Sequence, residues 1–134
     1  MILYSLDQLQ LWKLDGSTLR NKANIWQSNS SWKFSTNDDG KMIYIHHIDS
    51  ERVLETNHRF NLGAAVTKGT LVKDDPVRSP SQLWIKGTPD SEGYFTLLEN
   101  FEYPKYLTAI LWWALARKVG RPTTPEHGLE VLGK

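Results

Sequence analysis

The chain has no cysteine in 134 residues. That excludes a disulfide scaffold, a cysteine nucleophile and any thiolate zinc site. It has no dominant sign of charge either. The 16 Lys+Arg against 15 Asp+Glu leave a net charge of +1, which argues against a dedicated nucleic-acid binder, since such proteins gather excess positive charge against phosphate. No apolar run reaches the roughly 18 residues of a membrane-spanning helix. The opening Met1-Ile2-Leu3-Tyr4-Ser5-Leu6-Asp7 carries no basic leader and breaks at Asp7, so no secretory signal is expected. The missing cysteines fit a reducing compartment, with the cytoplasm slightly favoured. No Gly-rich phosphate loop, nucleophile elbow or Ser-His-Asp pattern is present, so neither enzymatic activity nor a cofactor is expected. What is plentiful is tryptophan, with six residues. Each is bulky and its indole N–H needs a partner, so six in one small chain mark either a repeated core position or a stacking surface.

The tryptophans anchor an internal repeat. Gln82-Leu83-Trp84 opens one unit and Ser30-Ser31-Trp32 another, 52 residues earlier. Met42-Ile43-Tyr44-Ile45-His46-His47-Ile48 answers to Tyr94-Phe95-Thr96-Leu97-Leu98-Glu99-Asn100, and Arg52-Val53-Leu54-Glu55-Thr56 to Lys105-Tyr106-Leu107-Thr108-Ala109. A shorter copy begins at Gln10-Leu11-Trp12, continues through Ser17-Thr18-Leu19-Arg20-Asn21 and puts Trp26 in the slot of Leu54 and Leu107. It runs straight into Ser30-Ser31-Trp32 and lacks about two dozen residues present in the middle unit.

Each unit reads as β. Short segments rich in Ile, Val, Tyr, Thr, Phe and Trp are separated by turn signals such as Asp15-Gly16 and Asp39-Gly40, where glycine tolerates the positive φ of a tight hairpin. In Gln82-Leu83-Trp84, alternation puts Gln82 and Trp84 on one side, with Trp84 in the core and the Gln82 amide free to bond nearby backbone.

Three units with a Gln-x-Trp strand, a turn, a strand and a Leu-bearing strand resemble the ricin B-type (R-type) lectin β-trefoil family. The resemblance spans roughly residues 3–110, with Gln10-Leu11-Trp12 and Gln82-Leu83-Trp84 as its best matches and Ser30-Ser31-Trp32 as a degenerate third. It implies an all-β, β-trefoil-like fold, incomplete at nine or ten strands rather than twelve. Residues 1–110 then form the lectin-like domain and 111–134 an irregular or helical C-terminal tail. An incomplete trefoil leaves open edges, to be covered by the tail, by a partner protein or by a homodimer. Leu111-Trp112-Trp113-Ala114-Leu115-Ala116 is apolar on most faces of a helix and is expected to be buried. A membrane-surface anchor is the alternative, for which the segment is short and poor in basic residues.

Sugar sites in that family follow a Cys-Leu-Asp-like strand. The acid accepts sugar hydroxyls, an aromatic ring stacks on the sugar, and an Asn-Gln pair precedes the Trp. Carried over, the middle lobe supplies Glu55 as the acid and Ser81-Gln82 in place of Asn-Gln. The third strand is expected at Gly69-Thr70-Leu71-Val72-Lys73-Asp74, with Lys73 in the site. That strand lacks an aromatic, and His58 or Phe60 would have to replace it. Thr108 and Gln27 stand at the acidic position of the other lobes and weaken those sites. The expected function is a non-enzymatic carbohydrate-binding module for galactose-type or related glycans. The alternative is a degenerate trefoil that has lost sugar binding and acts through protein contacts, with Glu55 a solvated turn carboxylate and Gln82 a structural bonder. His46-His47, adjacent on a strand, face opposite ways and cannot chelate one metal. Asn37-Asp38-Asp39-Gly40 and Asp74-Asp75 read as soluble turns.

Overall fold

The computed structural model describes residues 2–23, 28–60 and 63–110, the side chains of 2, 58–60 and 63 excepted. Trp26, Gln27, Trp112, Trp113 and the 111–134 tail lie outside the described residues. Within them the chain is all-β. The strands are β1 (Ile2–Leu6), β2 (Trp12–Asp15), β3 (Thr18–Asn21), β4 (Trp32–Thr36), β5 (Ile43–His47), β6 (Arg52–Phe60), β7 (Gly63–Gly69), β8 (Trp84–Lys86), β9 (Leu97–Glu99) and β10 (Tyr106–Ile110). A single 3-10 turn, Ser79–Gln82, precedes β8.

Sequence punctuation sets the hairpins. Gly16 and Gly40 adopt φ of 63° and 75°, which side chains with a Cβ rarely take. They turn β2 into β3 and lie between β4 and β5. The order β5-β6-β7-β1-β10-β9-β8 closes on itself because β8 also pairs with β5, through Ile43 and Trp84. The result is a seven-strand closed barrel. β4 is added outside β5, and the β2–β3 hairpin joins through reciprocal backbone bonds between Trp12 and Phe95 of 2.7 and 2.8 Å. The β5–β8 pairing closes the ring of seven strands, while β4, paired with β5 alone among the described residues, keeps one open edge.

Trp12, Trp32 and Trp84 are at most 1% exposed and share one core. Each opens a hairpin whose opposite residue is buried and polar: Asn21, His47 and Glu99. Two residues before each polar group sits a fully buried aliphatic, Leu19, Ile45 or Leu97. The indoles also repeat their partners. Trp12 Nε1 donates to the Leu107 carbonyl at 2.9 Å and Trp84 Nε1 to the Leu54 carbonyl at 3.4 Å. Trp32 Nε1 instead donates to Ser28 Oγ at 2.6 Å. The repeat in the sequence is therefore a repeat of core positions, each indole satisfying its polar atom internally.

One expected strand is absent. Thr70 to Asp74 form no strand. β7 ends at Gly69, and the following loop is held by a side chain instead. Gln82 Nε2 donates to the Thr70 carbonyl at 2.7 Å, and Val72 N–H donates to Gln82 Oε1 at 3.1 Å. The amide thus replaces the ladder that a partner strand would supply. The turn at Asp75-Pro76 keeps the segment from extending further, as Asp75 Oδ1 accepts from the Val77 and Arg78 N–H groups.

Candidate binding site on the outer face of the barrel

Leu54 points into the core and Glu55, next on β6, points out, as strand alternation requires. Three loop residues converge on the Glu55 carboxylate. Arg78 grips it in a bidentate pair, Nε to Oε2 at 2.8 Å and Nη2 to Oε1 at 2.9 Å. Gln82 Nε2 reaches Oε1 at 3.2 Å, and Ser81 Oγ lies 3.3 Å from Oε2. The Glu55 side chain is 14% exposed and that of Arg78 44%. Burial alone would raise the Glu55 pKa, but the bonds from Arg78 and Gln82 and the Arg78 charge outweigh it and hold the carboxyl below its ordinary value. Gly69 allows this close packing, because a Cβ there would fall 2.0 Å from Glu55 Oε1.

Counting protons shows what the group has left to offer. The single Ser81 hydroxyl proton has a nearer acceptor, the Arg78 carbonyl at 2.6 Å, so it goes there. Glu55 Oε1 then accepts twice and Oε2 once. A carboxylate has about four acceptor sites, which leaves one on Oε2, beside the guanidinium donors that Arg78 does not use on Glu55.

Of the expected site residues, Glu55, Ser81 and Gln82 come together. Lys73 does not join them. Its Nζ lies 5.5 Å from the centroid of the Tyr44 ring, because the chain around it is a loop and not the expected strand. His58 and Phe60 lie on β6, and their side chains are outside the described residues. The view of Glu55 as a solvated turn carboxylate is corrected, since it sits within a strand and is ion-paired. Gln82 does bond backbone as expected, and Gln10, its counterpart, bonds both the N–H and the carbonyl of Ala109 at 2.9 and 3.2 Å.

Arg78 was not legible as a site residue. The one available signal was that Arg78 is one of two cations, with Lys73, in the loop between β7 and the Gln-x-Trp segment. In the last lobe, Thr108 is fully buried and bonds the Tyr106 and Gln8 carbonyls, so that position is closed. A cavity of about 230 Å³ near Leu9, Gln10 and Lys22 holds none of the expected residues. Among the described residues no group of three His, Asp or Glu is placed to hold a metal ion, and no helix is long and apolar enough to cross a membrane. His46 and His47 face opposite ways: His46 bonds Ser35, and His47 packs edge-on to Trp32 at 4.9 Å. Comparison with known protein families, curated proteins and solved structures finds no match in any of the three.

Proposed function

We propose that this chain is a non-enzymatic binding module, kin to the ricin B-type β-trefoils with an incomplete set of repeats. Its ligand is a galactose-type or related glycan, held at Glu55, Arg78, Ser81 and Gln82. One observation carries this reading: an acid from β6 and a Ser-Gln pair more than 20 residues later meet at 3.2–3.3 Å on the outer face. A sugar hydroxyl is both donor and acceptor. The open site on Glu55 Oε2 can take its proton while an adjacent Arg78 N–H donates to its oxygen. The 70–74 segment brings no aromatic residue to the group, so binding rests on hydrogen bonds that compete with water. Affinity should be weak, with a dissociation constant on the order of 1 mM.

Titrating galactose while following backbone amides by NMR tests this. The Ser81 and Gln82 signals should shift saturably, and Glu55→Ala should abolish the response. Unmoved signals at high galactose, together with a blank glycan array, would overturn it. The second reading, a degenerate trefoil acting through protein contacts, draws its support from Arg78, which already covers most of the carboxylate. It predicts that blank array together with a dimer or complex in size exclusion.

A further inference from the structure

The outer face of the β4–β5 hairpin carries a second polar group, independent of the glycan reading. Trp32 and Phe34 face the core, so Lys33 and Ser35 face out. Likewise Ile43 and Ile45 face the core, and Tyr44 and His46 lie on the opposite side of the strand, where Tyr44 is buried beneath its neighbours and His46 is half-buried. Lys33 stands directly opposite His46, and Ser35 opposite Tyr44. Ser35 Oγ and His46 Nε2 are 2.5 Å apart, and the Tyr44 and His46 rings meet edge-on at 6.3 Å. Lys73, arriving from the loop after β7, caps the Tyr44 ring at 5.5 Å. Two ammonium groups, a hydroxyl and an imidazole, from two strands and the loop after β7, are thus gathered around Tyr44.

What the patch lacks is an acid. Neither Lys33 nor Lys73 has an ion-pair partner among the described residues, although the chain has nearly as many acids as bases. Asp75, near Lys73 in sequence, is engaged with the Val77 and Arg78 amides, and the Glu55 carboxylate is held by Arg78. Burial, then the charges of Lys33 and Lys73, push the His46 pKa below its ordinary value, as a local positive field with no counter-charge must. The other groups facing His46 are Ser35, Tyr44 and, across on β6, the apolar Val53.

We propose that Lys33, Ser35, His46 and Lys73 form a binding site for a tetrahedral oxyanion, a phosphate or sulfate group. The two lysines supply charge. When His46 is protonated its Nε2–H donates to Ser35 Oγ, which turns the serine proton outward to the anion. Anion binding therefore favours the imidazolium and raises the His46 pKa.

The test is an NMR titration with inorganic phosphate, then inorganic sulfate, in an oxyanion-free buffer at about pH 6, following the His46 ring and the Lys33 and Ser35 amides. Saturable shifts are expected, with the His46 pKa rising. Lys33→Gln and Lys73→Gln should each weaken binding about fivefold, and Ser35→Ala should lower it while shrinking the His46 shift. Shifts that grow linearly, shifts equalled by sodium chloride at the same ionic strength, or full binding in both lysine variants would overturn the site. Galactose 6-sulfate identifies the source: tighter binding than sulfate alone marks an ester on a sugar, and equal binding marks a free oxyanion. If galactose leaves Ser81 and Gln82 unmoved while phosphate still saturates His46, the glycan reading fails and this one stands.

Discussion

Glu55 shows how one side chain can serve packing and recognition together. It is pinned by Arg78 and Gln82, and that pinning depends on the bare backbone of Gly69 beneath it. Gly69→Ala would put a methyl 2.0 Å from Glu55 Oε1 and 3.0 Å from Arg78 Nη2. The tip of a glutamate can swing away, but only by giving up those partners. The substitution should cost about 1–3 kcal/mol, while Glu55→Gln, which keeps the shape and loses the charge, should cost about 1–2 kcal/mol. In the Glu55→Ala background, Gly69→Ala should cost almost nothing, because the colliding atom is gone. Urea unfolding of the four proteins gives the coupling directly, and additive losses would show that Gly69 acts elsewhere. None of this was legible from residue types. Glu55 could be chosen from its place after Val53-Leu54, whereas Arg78 becomes its partner only through the path of a loop.

Between elements, the two Gln-x-Trp segments act as side-chain staples. Gln10 ties β10 to the first hairpin, with Asn21 Nδ2 also donating to its Oε1 at 2.8 Å. Gln82 ties the 70–74 segment to the base of β8. Both glutamines are buried, at 7% and 0% exposure, so removing the amide strands backbone groups away from water. Gln82→Leu should therefore cost about 1–3 kcal/mol and remove hydrogen-exchange protection at Val72. Gln10→Leu should do the same at Ala109 and leave Val72 protected. Loss of protection at both sites in either variant would mean global weakening instead of two local staples. The Trp repeat and the alternation of β5 were readable because core positions recur at matching spacing. The family resemblance implies a strand over 69–74, but β7 stops at Gly69, because among the described residues no strand offers Thr70 to Asp74 a ladder. The closure of β5 on β8 was equally hidden, because pairing Ile43 with Trp84 depends on the whole ring.

At the scale of the whole molecule, two histidines and two carboxyl groups, Glu55 and Asp90, give the barrel a direction of pH sensitivity. His46 and His47 both have lowered pKa values. Burial is the first cause in each, joined by Lys33 and Lys73 for His46, and by Lys68, partly offset by Asp49, for His47. The unfolded chain takes up protons on these imidazoles at higher pH than the folded one, so stability falls as pH drops through about 6.5. Glu55 has a lowered folded pKa as well. Its contribution is fully present above the unfolded value and is lost as pH falls from there through the folded one. The urea midpoint should thus decline in two stages on acidification, the first flattened by His46→Gln with His47→Gln and the second reduced by Glu55→Gln, with Asp90, whose carboxyl is held low by the Lys22 bond and the Tyr94 N–H, supplying part of the remainder. A midpoint that holds constant from about pH 7.5 to 5.5 would show that the two imidazoles titrate alike in both states. An inorganic oxyanion separates the two histidines within the first stage. If it binds the folded chain beside His46, it should raise the midpoint by mass action. With sulfate, whose charge does not change over this range, the gain should be larger at about pH 6 than at 7.5, and that difference should survive in His47→Gln and disappear in His46→Gln.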